Sequence, residues 1–67
     1  MAMDDFTATG IAEGFIDPEG DTDEEREASV IAAWQHLINT GLAWNLQGWF
    51  GRTANSLIEQ GVCHPAA

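Results

Sequence analysis

Two apolar stripes of helical period, separated by a glycine, constrain this chain more than any other feature. Val30, Ile31, Trp34, Leu37 and Ile38 recur at spacings of three and four, with Ser29, Gln35, His36 and Asn39 on the other faces. Asn39-Thr40-Gly41 then supplies a stop, because glycine takes the left-handed backbone conformation that closes a helix. Leu46, Trp49, Phe50, Thr53, Ala54, Leu57, Ile58 and Gly61 share a second stripe, opposite Gly48, Arg52, Asn55 and Glu59. Thr22 followed three residues later by Glu25 reads as a capping box, with Asp23, Glu24 and Glu25 in the first turn where the helix dipole favours negative charge. A helix is therefore predicted to begin near Asp23. Gly61 is the natural terminator of the second helix, with Val62 folding back as in a Schellman cap.

The expected fold class is all-α: a small helical hairpin over residues 23–40 and 43–60, connected near Gly41 to Ala43. Gly48 and Gly51 each cost about 1 kcal/mol relative to Ala in a helix interior. They weaken the helix between Trp44 and Arg52, and close approach of a neighbouring element is one physical reason to keep them. Before the hairpin, Ile11, Phe15 and Ile16 are scattered among glycines and are expected to pack across the hairpin, so residues 5–16 read as a short extra helix or an extended arm. Asp17-Pro18-Glu19-Gly20 is a turn signal. The resulting organisation is a partly flexible acidic arm over 1–22, the hairpin over 23–63 and a tail over 64–67.

Charge divides the chain at the same place. Asp4, Asp5, Glu13, Asp17, Glu19, Asp21, Asp23, Glu24, Glu25 and Glu27 face only Arg26 in residues 1–27, which leaves all of the net charge of −9 in that segment. From Ala28 onward Arg52 balances Glu59, and all three tryptophans lie there. A negative field of this size repels phosphate backbones and anionic lipid, so neither direct nucleic-acid binding nor membrane association is expected. No apolar run approaches the roughly 20 residues that span a bilayer, and the N-terminus lacks the charge and apolar block of a secretory signal. With one cysteine and hence no internal disulfide, a reducing cytoplasm is the expected compartment.

At 67 residues a chain buries only about 60% of the surface its unfolded form exposes. Two helices offer little room to hide Trp34, Trp44, Trp49 and Phe50, and tryptophan is enriched at interface hot spots. These four residues, with Arg52, are the expected partner-binding face, covered by another protein or a second copy. A monomer in which the N-terminal arm supplies the cover is the other arrangement. Arg52 otherwise reads as a surface pair with Glu59 or with the acidic arm. The acidic surface of Asp17, Glu19, Asp21, Asp23, Glu24 and Glu25 is either a solvated linker or a recognition element. In an extended chain residues two apart lie about 6.6 Å from one another, close to the roughly 7 Å between successive phosphates of a strand. Such a strand would imitate a nucleic-acid backbone in a basic groove.

Catalytic and metal patterns are poor. Counted from Asp17, the places where a calcium loop wants Gly and Glu hold Thr22 and Ala28. Cys63, His64 and His36 lack zinc-site spacing, and Cys63 would need one of these histidines as a base in a pocket this chain hardly provides. Gly48-Trp49-Phe50-Gly51-Arg52-Thr53 lacks the phosphate-loop lysine. No metal, no cofactor and no enzymatic activity are expected.

Trp34-Gln35-His36-Leu37-Ile38-Asn39-Thr40-Gly41-Leu42-Ala43-Trp44, followed by Leu46-Gln47-Gly48 and Gly51-Arg52-Thr53-Ala54 and continuing to Gly61-Val62-Cys63, resembles a family of very short, uncharacterised proteins encoded by tailed bacteriophages. That resemblance implies a phage or prophage setting, in which small proteins bind and redirect host machinery. It leaves the acidic segment out. The expected function is a non-enzymatic phage accessory protein, acting in the host cytoplasm or associated with the virion. It would bind a protein partner and, in the sharper version, inhibit a host nucleic-acid-binding protein by acidic mimicry. The alternative is a self-assembling structural component that forms a homo-oligomeric helical bundle.

Overall fold

The structure, a computed structural model, describes residues 3–66. Residues 1, 2 and 67, the extremities of the acidic arm and of the tail, lie outside it. Among the described residues there are four helices and no strand: α1 (Asp5–Glu13), α2 (Asp23–Thr40), α3 (Leu42–Asn45) and α4 (Gly48–Glu59). The chain is all-α.

Local sequence chemistry sets most of the boundaries. The capping box forms: the Glu25 amide donates to Thr22 Oγ1 at 3.1 Å, and Glu25 Oε1 accepts from the Thr22 amide at 3.2 Å. Gly41 closes α2 with φ +82°. At the end of α4 the Gly61 amide donates to the Ile58 carbonyl and the Val62 amide to the Leu57 carbonyl, with Gly61 at φ +77°. That is the anticipated Schellman pattern.

Residues 5–16 resolve into a helix and its cap. Asp4 starts α1 by accepting from the Thr7 amide at 2.7 Å. Gly14 at φ +86° ends it in a second Schellman turn, with amide bonds from Gly14 to Ile11 and from Phe15 to Gly10. Ala8 and Ile11 bury one side of α1 within the core that α2 also builds.

The second predicted helix, 43–60, is a correction. It is two helices, α3 and α4, broken at Leu46 and Gln47, whose backbones are extended. The break turns Leu46 partly inward and lets Gly48 open α4 instead of weakening its middle. Gly51 has the role anticipated for it: a Cβ there would stand 3.4 Å from the Trp44 ring, so α3 packs directly on α4.

The core combines Ala8 and Ile11 of α1, Ala33, Trp34, Leu37 and Ile38 of α2, Ala43 of α3, Phe50 and Ala54 of α4, and Cys63 from the strap after α4. No side-chain nitrogen or oxygen buried among the described residues lacks a hydrogen-bond partner. No helix among them is long and apolar enough to cross a membrane.

Candidate protein-interaction surface

The four aromatic residues expected to form an exposed face mostly close on each other. Trp34 is 6% exposed and Phe50 3%. Trp49 meets Trp34 edge-on at 6.2 Å between ring centroids, Phe50 tilts against Trp34 at 5.8 Å, and Trp49 and Phe50 stack at 3.9 Å. Edge-to-face and offset contacts of this kind are the arrangements that aromatic quadrupoles favour. Of the expected partner-binding face of Trp34, Trp44, Trp49, Phe50 and Arg52, Trp34 and Phe50 are corrected to buried and Trp49 to half-buried, because large rings fill the space between α2 and α4 and each covers part of the next, while Trp44 and Arg52 stay at the surface. Only Trp44, at 47%, leaves much indole exposed. Arg52 is exposed, running past Gly48, and among the described residues neither it nor Arg26 lies within 4.0 Å of a carboxylate. The anticipated Arg52–Glu59 pair is not formed.

Apolar exposure lies instead at the front of the chain. Phe6 is 77% exposed and Phe15 83%. The first belongs to the outer side of α1 and the second to the Schellman turn that follows it. Composition could have pointed to them, since Phe6 and Phe15 sit among glycines and acids where no apolar stripe continues. Ile11 enters the core and Ile16 packs against it, but Phe15, expected to pack across the hairpin, does not.

The acids Asp17, Glu19, Asp21, Asp23, Glu24 and Glu25 are all exposed. They do not form one extended strand. The mimicry geometry fails from Asp23 onward, where the backbone is helical, because the capping box starts α2 there. Glu25 is also committed to its cap, accepting from the Asp21 amide at 2.8 Å as well as from Thr22. The Glu19 amide donates to Ser29 Oγ at 3.1 Å. These bonds lay the acidic loop along the first turns of α2.

Potential reactive groups are kept apart by different partners. His36 Nε2 pairs with Asp5 Oδ1 at 2.7 Å and ties α2 to α1. Cys63 is buried, its Sγ directed at the Ile31 carbonyl oxygen at 3.9 Å, and burial pushes the thiol above its ordinary value of 9.0. A raised thiol pKa works against thiolate chemistry. The backbone of His64 is bound by Gln35. Among the described residues no group of three His, Cys, Asp or Glu side chains stands ready to hold a metal ion.

A family model described as a domain of unknown function, DUF7417, matches residues 11–67. That span takes in the end of α1, the acidic loop, α2, α3, α4 and the C-terminal strap. No curated protein and no solved structure matches the chain.

Proposed function

The chain belongs to the DUF7417 family, and we propose from its own surface that it is a non-enzymatic, protein-binding accessory protein whose acidic front engages a basic partner. One observation carries this reading. Residues 3–25 hold nine acids and no cation, and the two arginines of the chain lie near no carboxylate among the described residues. Apart from Asp5, which pairs with His36, the acids of this segment have no ion-pair partner among the described residues, so the negative charge stays concentrated at the front of the chain. Such a field steers cationic surfaces and repels nucleic acid.

The partner proposed is a nucleic-acid-binding protein, whose basic groove the loop acids Asp17, Glu19 and Asp21 occupy in place of phosphates, with the helical acids of the first turn of α2 adding to the field. The setting proposed is that of a bacteriophage accessory protein acting in the host cytoplasm, on the resemblance of the Trp34–Cys63 pattern.

The test is competition. A basic nucleic-acid-binding protein retained by the chain from bacterial lysate is loaded with a fluorescent duplex, and the chain is titrated in while anisotropy is followed. Displacement should weaken steeply with added salt, since the screening length falls from about 10 Å at 0.1 M to about 3 Å at 1 M. It should also be lost in a variant carrying Asp17→Asn, Glu19→Gln, Asp21→Asn and Glu24→Gln. Displacement that ignores both, or none at all, contradicts the proposal.

A further inference from the structure

α1 has two unlike sides. Each helical residue turns about 100°, which sets Ala8 and Ile11 on the side facing α2 and puts Phe6, Gly10 and Glu13 together on the other. Gly10 has no side chain of its own there, and Ile16, folded back by the turn at Gly14, fills the place. A Cβ on Gly10 would stand 2.6 Å from Ile16 Cγ1. Residues four apart are neighbours on a helix surface, so Ile16, half-buried and packed against the core, brings its outer edge beside the apolar surface that Phe6 begins. Phe15, the most exposed large apolar residue among those described, lies in the same turn. Asp4, Glu13 and Asp17 neighbour these residues along the chain, Asp5 is paired with His36 of α2, and no Lys, Arg or His occurs from residue 3 to residue 20.

We propose that Phe6, Ile16 and Phe15 form a docking surface for a basic amphipathic helix of a partner protein, its apolar stripe on these side chains and its lysines or arginines toward Glu13 and Asp17. The proposal rests on the reading of the acidic front given above and names the partner's recognition element. Charge selects this occupant. A second copy would bring its own acids against these, and anionic lipid and nucleic acid are repelled by the same field. A helix is favoured over an extended peptide because no sheet edge exists among the described residues to pair with a strand, which leaves side-chain docking on apolar anchors.

The experiment uses the full chain and two synthetic peptides of leucine and lysine, identical in composition. One carries its leucines at i, i+3, i+4 and i+7; the other scatters them without a helical stripe. Binding is measured by calorimetry at low salt, about 50 mM, and again at about 500 mM. The striped peptide should bind about tenfold tighter than its control. The Phe6→Ala/Phe15→Ala chain should bind both alike, and Glu13→Gln/Asp17→Asn should weaken binding and flatten its salt dependence. Both variants change exposed side chains, and circular dichroism checks that their helix content is retained. Equal binding of the two peptides, unmoved by the phenylalanine variant, would overturn the docking surface while leaving the acidic front as a basic-partner site. Absence of binding by either peptide at low salt would overturn both readings. Phenylalanine-dependent binding that ignores salt and carboxylates would overturn the basic partner.

Discussion

Gln35 and His64 hold each other by two opposed hydrogen bonds. The His64 amide donates to Gln35 Oε1 at 2.8 Å, and Gln35 Nε2 donates to the His64 carbonyl at 2.9 Å, so one side-chain amide reads one backbone unit as a neighbouring strand would. Gln35 Nε2 also donates to Asn39 Oδ1 at 3.0 Å, which fixes its orientation on α2. The clamp closes the strap that carries Cys63 into the core.

Gln35→Ala should therefore do two things at once. It should lower stability by about 1–2 kcal/mol, the ordinary worth of such bonds. It should also speed labelling of Cys63 by a thiol reagent under native conditions. The raised thiol pKa favours the neutral form in the fold, so the stability it contributes is present below pH 9 and is lost as pH rises through the folded value. Urea unfolding followed by tryptophan fluorescence, with labelling rates measured in parallel, checks both. An unchanged labelling rate would show that the strap opens independently of Gln35.

Two glycines of positive φ should respond differently to substitution by alanine. At Gly20 (φ +135°) a Cβ would stand 2.5 Å from Glu25 Cβ and 2.9 Å from the Arg26 backbone nitrogen, so the acidic loop would have to leave α2. Gly14 (φ +86°) faces open space. Gly14→Ala should cost about 1–2 kcal/mol from the left-handed conformation alone. Gly20→Ala should cost more, with chemical-shift changes reaching Glu25 and Ser29. Melting curves of the two variants, ranked the other way, would refute this packing of the loop.

Acid should loosen α1 at its start. Asp4 accepts the Thr7 amide, and that bond holds its carboxyl below the ordinary value of 3.8. A depressed folded value means that the cap's contribution is present above pH 3.8 and is lost as pH falls through the folded value. Amide exchange at Thr7, compared between wild type and Asp4→Ala after correction for intrinsic rates, should converge as the solution is acidified. A constant difference down to pH 2 would contradict the cap's role.

Much of this architecture is legible where residues act on near neighbours. Thr22 and Glu25 announce the start of α2, and Gly41 and Gly61 announce two ends, because caps and left-handed glycines depend on a few adjacent residues. The α3–α4 break is less visible, since the apolar period from Leu46 to Ile58 runs through it and Gly48 is its single local signal. α1 stays ambiguous in the sequence because only burial of Ala8 and Ile11 against α2 decides between helix and arm. The Gln35–His64 clamp, 29 residues apart, leaves no trace in any local pattern. The aromatic residues mislead for a related reason: counting indoles against two helices ignores that Trp34, Trp49 and Phe50 cover one another. The exposure of Phe6 and Phe15 leaves only a weak local sign, their glycine and acidic neighbours, and becomes plain once the rest of the apolar surface is placed.

Quenching by acrylamide of the Trp44→Phe chain, at a dilution where any complex between copies has dissociated, tests most directly whether one molecule closes its own aromatic core. With the half-exposed indole removed, the remaining emission from Trp34 and Trp49 should be blue-shifted and several-fold harder to quench than the indole of the unfolded chain. Emission at the wavelength of free indole, quenched as readily as in urea, would mean that the rings need a partner to cover them and that the Phe6–Phe15 surface is not where this protein leaves its apolar area free.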